Sequence, residues 1–338
     1  MDVYADPLDA IWVEAAALLG FRVVRSDAAY AAYDGRGTLT IAEAASFDPD
    51  DSLAQMIFHE ICHALVAGEG ALEKPDWGLD NTGSRDLVLE HACNRLQAAL
   101  AGRFGLRRFL AVTTEHRAYY DALPSDPLAA SSDPAVPMAR RGALLSRESP
   151  WKQVLDTALE ASAEVTAAAR DAVSATSLFR RAPKRHSTGF FEHDDADLRC
   201  GTCAWAYASG TRLRCRQSRR GLRPGAVVDA DARACARWEN ALASDACASC
   251  GACCREGYDL VQVGPREHLL RRHPELIAHD TLGPHVPRPG GCCAALTGDG
   301  SATPYRCRIY ADRPRACRAF AVGGDACLTA RRRVGLSA

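Results

Sequence analysis

Thirteen of the fifteen cysteines fall between Cys200 and Cys327, and only Cys62 and Cys93 precede them. This asymmetry asks for two kinds of fold in one chain. The part before Cys200 must bury a conventional apolar core. The last third is rich in Gly, Pro and Arg and poor in aliphatic runs, which suggests small modules held by metal rather than by a large core. With 338 residues, 47% of them hydrophobic, the chain is long enough for two or three domains. The N-terminus, Met1-Asp2-Val3-Tyr4-Ala5-Asp6, is acidic and lacks a basic stretch followed by an apolar one, so no signal peptide is expected. No apolar run approaches the ~20 residues that cross a bilayer. The expected setting is cytoplasmic, away from membranes, where thiols stay reduced and bind metal in preference to forming disulfides. A formal net charge of -1 gives no global field toward nucleic acid.

Periodicity organises the first part. Leu8–Gly20 reads as an amphipathic helix with a glycine stop, and Phe21–Arg25 and Ala28–Ala42 as short strands, the latter broken by a turn at Asp34-Gly35-Arg36-Gly37. Asp48-Pro49-Asp50-Asp51 supplies cap chemistry for a helix over Ser52–Ala67, closed by Gly68. Asp76–Gly83 reads as a loop and Ser84–Ala101 as a second long helix. Leu123–Pro150 has the Pro, Ser and Ala content of a linker, and Trp151–Phe179 that of a long alanine-rich helix ending in a basic hinge at Arg180–Arg185.

The helix over Ser52–Ala67 contains His59-Glu60-Ile61-Cys62-His63. Histidines four apart on a helix share a face and can reach one cation, and the intervening Glu60 can hold a water and take its proton. A catalytic zinc ion takes three protein ligands and leaves a fourth position open. The third ligand is expected from Leu89-Glu90-His91-Ala92-Cys93-Asn94-Arg95, with Glu90 preferred over its neighbour His91. Asn94, one turn beyond Glu90, is placed to hydrogen-bond a ligating histidine. Cys62 and Cys93 read as small core residues. His116, Tyr119 and Tyr120 are candidates to steady an oxyanion, although a tyrosine pair near a helix end more often serves packing.

The order helix, short strands, His-Glu-x-x-His helix and Glu-x-x-Cys-Asn-Arg helix resembles the minimal gluzincins, especially the ImmA/IrrE-type metallopeptidases, over roughly residues 8–120. The resemblance implies a zincin-like domain with His59, His63 and Glu90 on zinc, Glu60 as general base, and a peptide bond in a protein as substrate. Leu96-Gln97 stands where that family favours an aromatic residue and alanine.

The cysteines form two groups. Cys200, Cys203, Cys215 and Cys235 suit one tetrahedral zinc or one iron–sulfur cluster. Cys247, Cys250, Cys253, Cys254, Cys292, Cys293, Cys307, Cys317 and Cys327 exceed one tetrahedral site, and the doublets Cys253-Cys254 and Cys292-Cys293 suggest two metals, or a cluster plus a structural ion. Cys-x-x-Cys-Gly-Ala-Cys-Cys-Arg, then Gly291-Cys292-Cys293-Ala294-Ala295-Leu296, then the run Cys307–Phe320 with Tyr310, Arg313-Pro314 and Cys317-Arg318, resembles the YkgJ family of cysteine-cluster proteins, which implies zinc or iron chelation. The arginine run from Arg212 to Arg223 reads as a solvated loop.

The expected fold class is α+β: a zincin-like domain (1–123) of helices and a small antiparallel sheet, a linker and long helix (124–190), a four-cysteine module (191–243) and a cysteine-cluster domain (244–338). The expected function is a zinc metallopeptidase whose cysteine modules, carrying zinc or iron–sulfur, sense metal or redox state or dock a protein partner. The alternative is a non-enzymatic metal-chelating or electron-transfer protein with a vestigial N-terminal metal site.

Overall fold

The computed structural model describes residues 4–79, 84–129, 131–221, 223–243, 246–257, 260–281, 283–299 and 303–337. The chain is α+β and forms two compact units. The first is Met1–Leu198 with Arg233–Arg237, and the second is Arg199–Ala232 with Trp238–Ala338.

In the first unit, α1 (Pro7–Leu18) starts where the Asp6 carboxylate accepts the Leu8 and Asp9 N–H groups at 2.9 and 3.3 Å. Strands β1 (Arg22–Arg25), β2 (Ala31–Tyr33) and β3 (Thr38–Ile41) form a sheet in the order β1-β3-β2. The β2–β3 pair is the antiparallel hairpin that the turn residues announce; β1 lies parallel to β3. Helix α2 (Leu53–Ala67) begins at Ser52, whose hydroxyl accepts the Gln55 N–H, and ends at Gly68 in a positive-φ conformation.

Every residue of α2 from Leu53 to Val66 is buried, because α1, α3 (Ser84–Gly102), α5 (Ala135–Leu145) and β3 surround it. Each large apolar side chain sequestered there contributes about 1.5–3 kcal/mol. The loop expected over Asp76–Gly83 is a single helical turn at Asp76–Gly78, and residues 80–83 lie outside the described residues.

Two helices occupy stretches whose composition hides them. Helix α4 (Thr114–Asp121) follows α3, and α5 (Ala135–Leu145) lies inside the segment that reads as a linker. The alanines of α5 are a contact face, not linker composition: Ala135, Val136, Ala139, Gly142 and Ala143 are buried against α2 and α3. A Cβ on Gly142 would meet the Leu96 side chain at 2.9 Å and the Leu65 backbone at 3.3 Å, so glycine sets how closely α5 approaches. Helix α6 (Trp151–Arg170) stops nine residues before Phe179 and packs on α1, where Trp12 Nε1 donates to Ser162 Oγ at 3.0 Å. The 124–190 stretch is therefore part of the first unit's core.

The second unit is built from short pieces. An antiparallel sheet joins β4 (Ala206–Ser209), β5 (Arg212–Cys215) and β6 (Val227–Val228). One helical turn, α7 (Cys247–Cys250), precedes β7 (Val261–Gln262) and the short α8 (Leu269–Arg272). Strands β8 (Ala278–Asp280) and β9 (Gly283–Val286) complete a sheet of order β7-β9-β8. The ribbon of β10 (Leu296–Thr297) and β11 (Arg306–Cys307) leads to α9 (Arg315–Arg318) and α10 (Asp325–Arg333). Among the described residues, no helix is long and apolar enough to cross a membrane.

Candidate metal centres

The first centre is assembled from one face of α2 and one of α3. His59 Nε2 and His63 Nε2 are 3.1 Å apart, and the Glu90 carboxylate bridges them, Oε1 at 3.0 Å from His59 and Oε2 at 3.0 Å from His63. Among the described residues this is the one group of three or more potential ligands gathered so closely. Bond lengths of 2.0–2.2 Å at tetrahedral angles put donor atoms about 3.3 Å apart, so the triangle is the size one zinc ion would occupy.

The outer nitrogens of both rings are tied down. Gln97 Nε2 donates to the Leu110 carbonyl at 2.8 Å, which leaves Gln97 Oε1 to accept from His59 Nδ1 at 2.8 Å. Cys93 Sγ lies 3.1 Å from His63 Nδ1, and burial keeps this thiol protonated by pushing its pKa far up. A proton at each Nδ1 would leave the Nε2 positions to a bound cation, as a ligand pair requires. Burial alone would lower the His59 pKa, but the Glu90 carboxylate outweighs it and brings His59 to about 9. Burial would raise Glu90, yet the two imidazoles hold it well below the usual carboxylate range.

These contacts redistribute roles read from the sequence. The hydrogen bond expected of Asn94 is made by Gln97; Asn94 is fully buried and neither polar atom of its amide has a partner among the described residues. Cys93 is not only a core residue, because its sulfur orients His63. His91 stacks on Tyr119 at 3.6 Å. His116 Nε2 stands 3.9 Å from Glu90 Oε1. Tyr119 is engaged by Arg95 and donates to Asp133, and Tyr120 is buried and donates to the Arg107 carbonyl, so neither hydroxyl is free for an oxyanion. Glu60 is buried, and its Oε2 accepts the Trp77 indole N–H at 2.9 Å. Trp77 holds a left-handed backbone (φ 58°) and stacks on Tyr33 at 3.8 Å.

In the second unit, Cys200, Cys203 and Cys215 share an apolar cluster with Trp205, Val228 and Leu328. Burial, then the neighbouring Cys203 and Cys215, push Cys200 up to about 11. Cys235 sits on the 233–237 segment that belongs to the first unit. Arg212, Arg219, Arg220 and Arg223 of the arginine run are exposed, as expected of a solvated stretch, while Arg216 and Arg219 pair with Asp325 and Arg214 donates to the Gly225 carbonyl.

Beyond them, Cys247, Cys250, Cys253, Cys254, Cys293, Cys307, Cys317 and Cys327 line one cavity. The Cys253 thiol hydrogen-bonds Cys247 and lowers its pKa, and Cys254 does the same for Cys293; in both pairs the partner's pKa is raised. Cys292, expected among the ligands, is exposed and is not part of the cavity wall.

Comparison with known proteins adds to this picture at one end of the chain. No curated protein and no solved structure matches it. Residues 246–332 match the family model CxxCxxCC, "Putative zinc- or iron-chelating domain", which assigns metal binding to the C-terminal segment that contains the cavity.

Proposed function

We propose that the first unit is a zinc-dependent peptidase, with His59, His63 and Glu90 as ligands and Glu60 as general base, joined to a zinc- or iron-chelating C-terminal domain. The observation that carries this reading is the triangle of two imidazole nitrogens and a carboxylate with 3.0–3.1 Å edges, supplied by two helices, with the buried Glu60 next to His59 in sequence. Zinc bound there would act as a Lewis acid and draw the pKa of a water molecule toward ~7.

Glu60 would serve as the general base there, accepting a proton from water and returning it to the leaving amine. Trp77 fixes one oxygen of Glu60, which leaves the other as the acceptor. Gln97 and Cys93 hold the two imidazoles in the tautomer that points Nε2 inward. His116, beside Glu90, is placed to donate to the carbonyl oxygen as it gains charge. The likeness of the His-Glu-x-x-His and Glu-x-x-Cys-Asn-Arg helices to ImmA/IrrE-type enzymes supports a peptide bond in a cytoplasmic protein as substrate. The cysteine modules then report metal or redox state to this centre or dock a protein partner.

Incubating the zinc-loaded chain with a proteome-derived peptide library and reading new termini by mass spectrometry tests the reading. Wild type should produce a defined set of cleavages, and Glu60→Gln should produce none while retaining zinc. An identical set of termini from Glu60→Gln would remove Glu60 from the reaction. The absence of wild-type cleavage, together with zinc bound to His59 and His63, would favour a non-enzymatic metal site.

A further inference from the structure

The formal charge of -1 conceals two opposite halves. The second unit, Arg199–Ala232 with Trp238–Ala338, carries twenty arginines, no lysine and twelve acidic residues, a balance of +8; the first unit carries -9. Charge of one sign gathered in one unit makes a local field that whole-chain composition averages away.

Within the second unit the cations are concentrated. Residues 199–228 contain seven arginines and neither Asp nor Glu. The sheet β4-β5-β6 sorts them by side, because successive side chains of a strand point to opposite faces. Leu213 and Cys215 of β5 and Val228 of β6 join the apolar cluster of Cys200, Trp205 and Leu328, which makes theirs the inner face. Arg212 and Arg214 alternate with them and take the outer face. Tyr207 pairs with Arg214 across the β4–β5 ladder and shares that outer face. The guanidinium groups of Arg216 and Arg219 lie 4.7 and 4.5 Å from the centre of its ring.

Helix α10 extends the basic surface. Arg216 and Arg219 pair with Asp325 in its first turn, while Arg332 in its last turn donates to Gln217 Oε1 at 3.3 Å and covers the Trp205 ring at 4.5 Å. Arg212, Arg219, Arg220, Arg223, Arg332 and Arg333 are exposed, and Asp325 offsets one charge of the group. Metal-bound thiolates would reduce the unit's total charge, but Cys200, Cys203 and Cys215 lie with the apolar cluster behind the sheet.

We propose that the outer face of β4-β5-β6, together with the end of α10, docks a nucleic-acid duplex through its phosphates. An unpaired base needs an open aromatic ring to stack on, and the rings of Tyr207 and Trp205 already carry guanidinium groups. A duplex keeps its bases inside and lines its exterior with phosphates, one charge per ~1.7 Å of axis, which is the complement of a bare arginine surface. The inference does not depend on the peptidase reading.

The test follows the fluorescence anisotropy of a labelled DNA duplex mixed with the full, metal-loaded chain. Wild type should bind, and its affinity should fall about 1,000-fold between about 50 and 200 mM salt if the six exposed cations each displace a counterion. The triple variant Arg212→Gln/Arg220→Gln/Arg223→Gln should keep the wild-type far-ultraviolet circular dichroism, bind about tenfold more weakly or worse, and lower the slope of log affinity against log salt by about 3. Removing the same charge from other elements of the unit, in Arg266→Gln/Arg271→Gln/Arg306→Gln, should weaken binding by less than about threefold. Equal weakening by the two triple variants would assign the binding to overall charge and overturn the docking face. Tighter binding of the unpaired strand, or of poly-L-glutamate at equal charge, would overturn the choice of a duplex. The wild-type salt profile needs no variant: no binding at the lower salt, or a flat profile, would refute the proposal by itself.

Discussion

Cys93 Sγ sits 3.1 Å from His63 Nδ1, at the opposite nitrogen from the one that faces Glu90. A buried thiol is a weak acceptor, yet here it does for His63 what the Gln97 amide does for His59. Removing either should leave the ligands in place and loosen their aim. Cys93→Ala and Gln97→Leu are each expected to weaken zinc binding about 10- to 100-fold, measured by competition with a chromophoric chelator, while Cys93→Ser stays closer to wild type. Wild-type affinity in both variants would show that the two contacts are incidental.

Asn94 yields the reverse expectation. Its amide is fully buried without a partner among the described residues, which costs about 1–3 kcal/mol. Asn94→Ala removes that penalty, gains helix propensity and leaves only a small void. Thermal unfolding should show stability equal to wild type or raised by about 1 kcal/mol, with zinc affinity unchanged. A marked loss of zinc would return Asn94 to the site.

Trp77 tests how Glu60 is held. Trp77→Phe keeps a ring against Tyr33 but removes the N–H that Glu60 Oε2 accepts. Denaturant unfolding should show a loss of about 1–3 kcal/mol, since a buried carboxylate loses a donor. On the proposed reaction the turnover rate should fall more than the apparent substrate affinity, with zinc content intact. A variant as stable as wild type would mean that the indole bond contributes nothing.

Asp194 sets a pH dependence remote from the metal. Its Oδ2 accepts the Arg107 backbone N–H at 3.0 Å beside a cavity lined in part by Arg107, Arg108, Arg117 and Arg181. Burial outweighs the Arg107 N–H and the charges of Arg107, Arg108 and Arg233, and lifts its pKa from 3.8 to about 7. A raised folded value favours the protonated form, so the stability it contributes is complete below pH 3.8 and is lost as pH rises through about 7. Asp194→Asn keeps an acceptor and carries no charge. Its unfolding midpoint should vary less between pH 5 and 8, and at pH 8 it should exceed wild type by on the order of 1 kcal/mol. Parallel pH profiles would exclude Asp194 as the cause.

Much of the scaffold is visible in the sequence because it is local. Ser52 and Gly68 mark the ends of α2, and Asp34 and Gly35 mark the hairpin, since caps and turns depend on a few neighbouring residues. Helix α5 is not visible in this way. Its small residues look like linker composition until α2 and α3 are placed beside them, and Gly142 acquires its meaning from Leu96 and Leu65.

The pairing of His59 with His63 follows from the helical repeat alone, for residues four apart on α2 must share a face. Which side of α3 meets that face is not written in α3. Cys93, Asn94 and Gln97 all lie within about 60° of Glu90 around the helix, on either flank of it. The way α3 lies against α2 turns the Cys93 and Gln97 flank toward the imidazoles and leaves Asn94 without a partner among the described residues. In the same way the spacing of the C-terminal cysteines announces sulfur ligation, whereas which of them line the common cavity rests on how the short elements around it pack. Local periodicity fixes which side chains share an element; only the packing of elements fixes which of them meet.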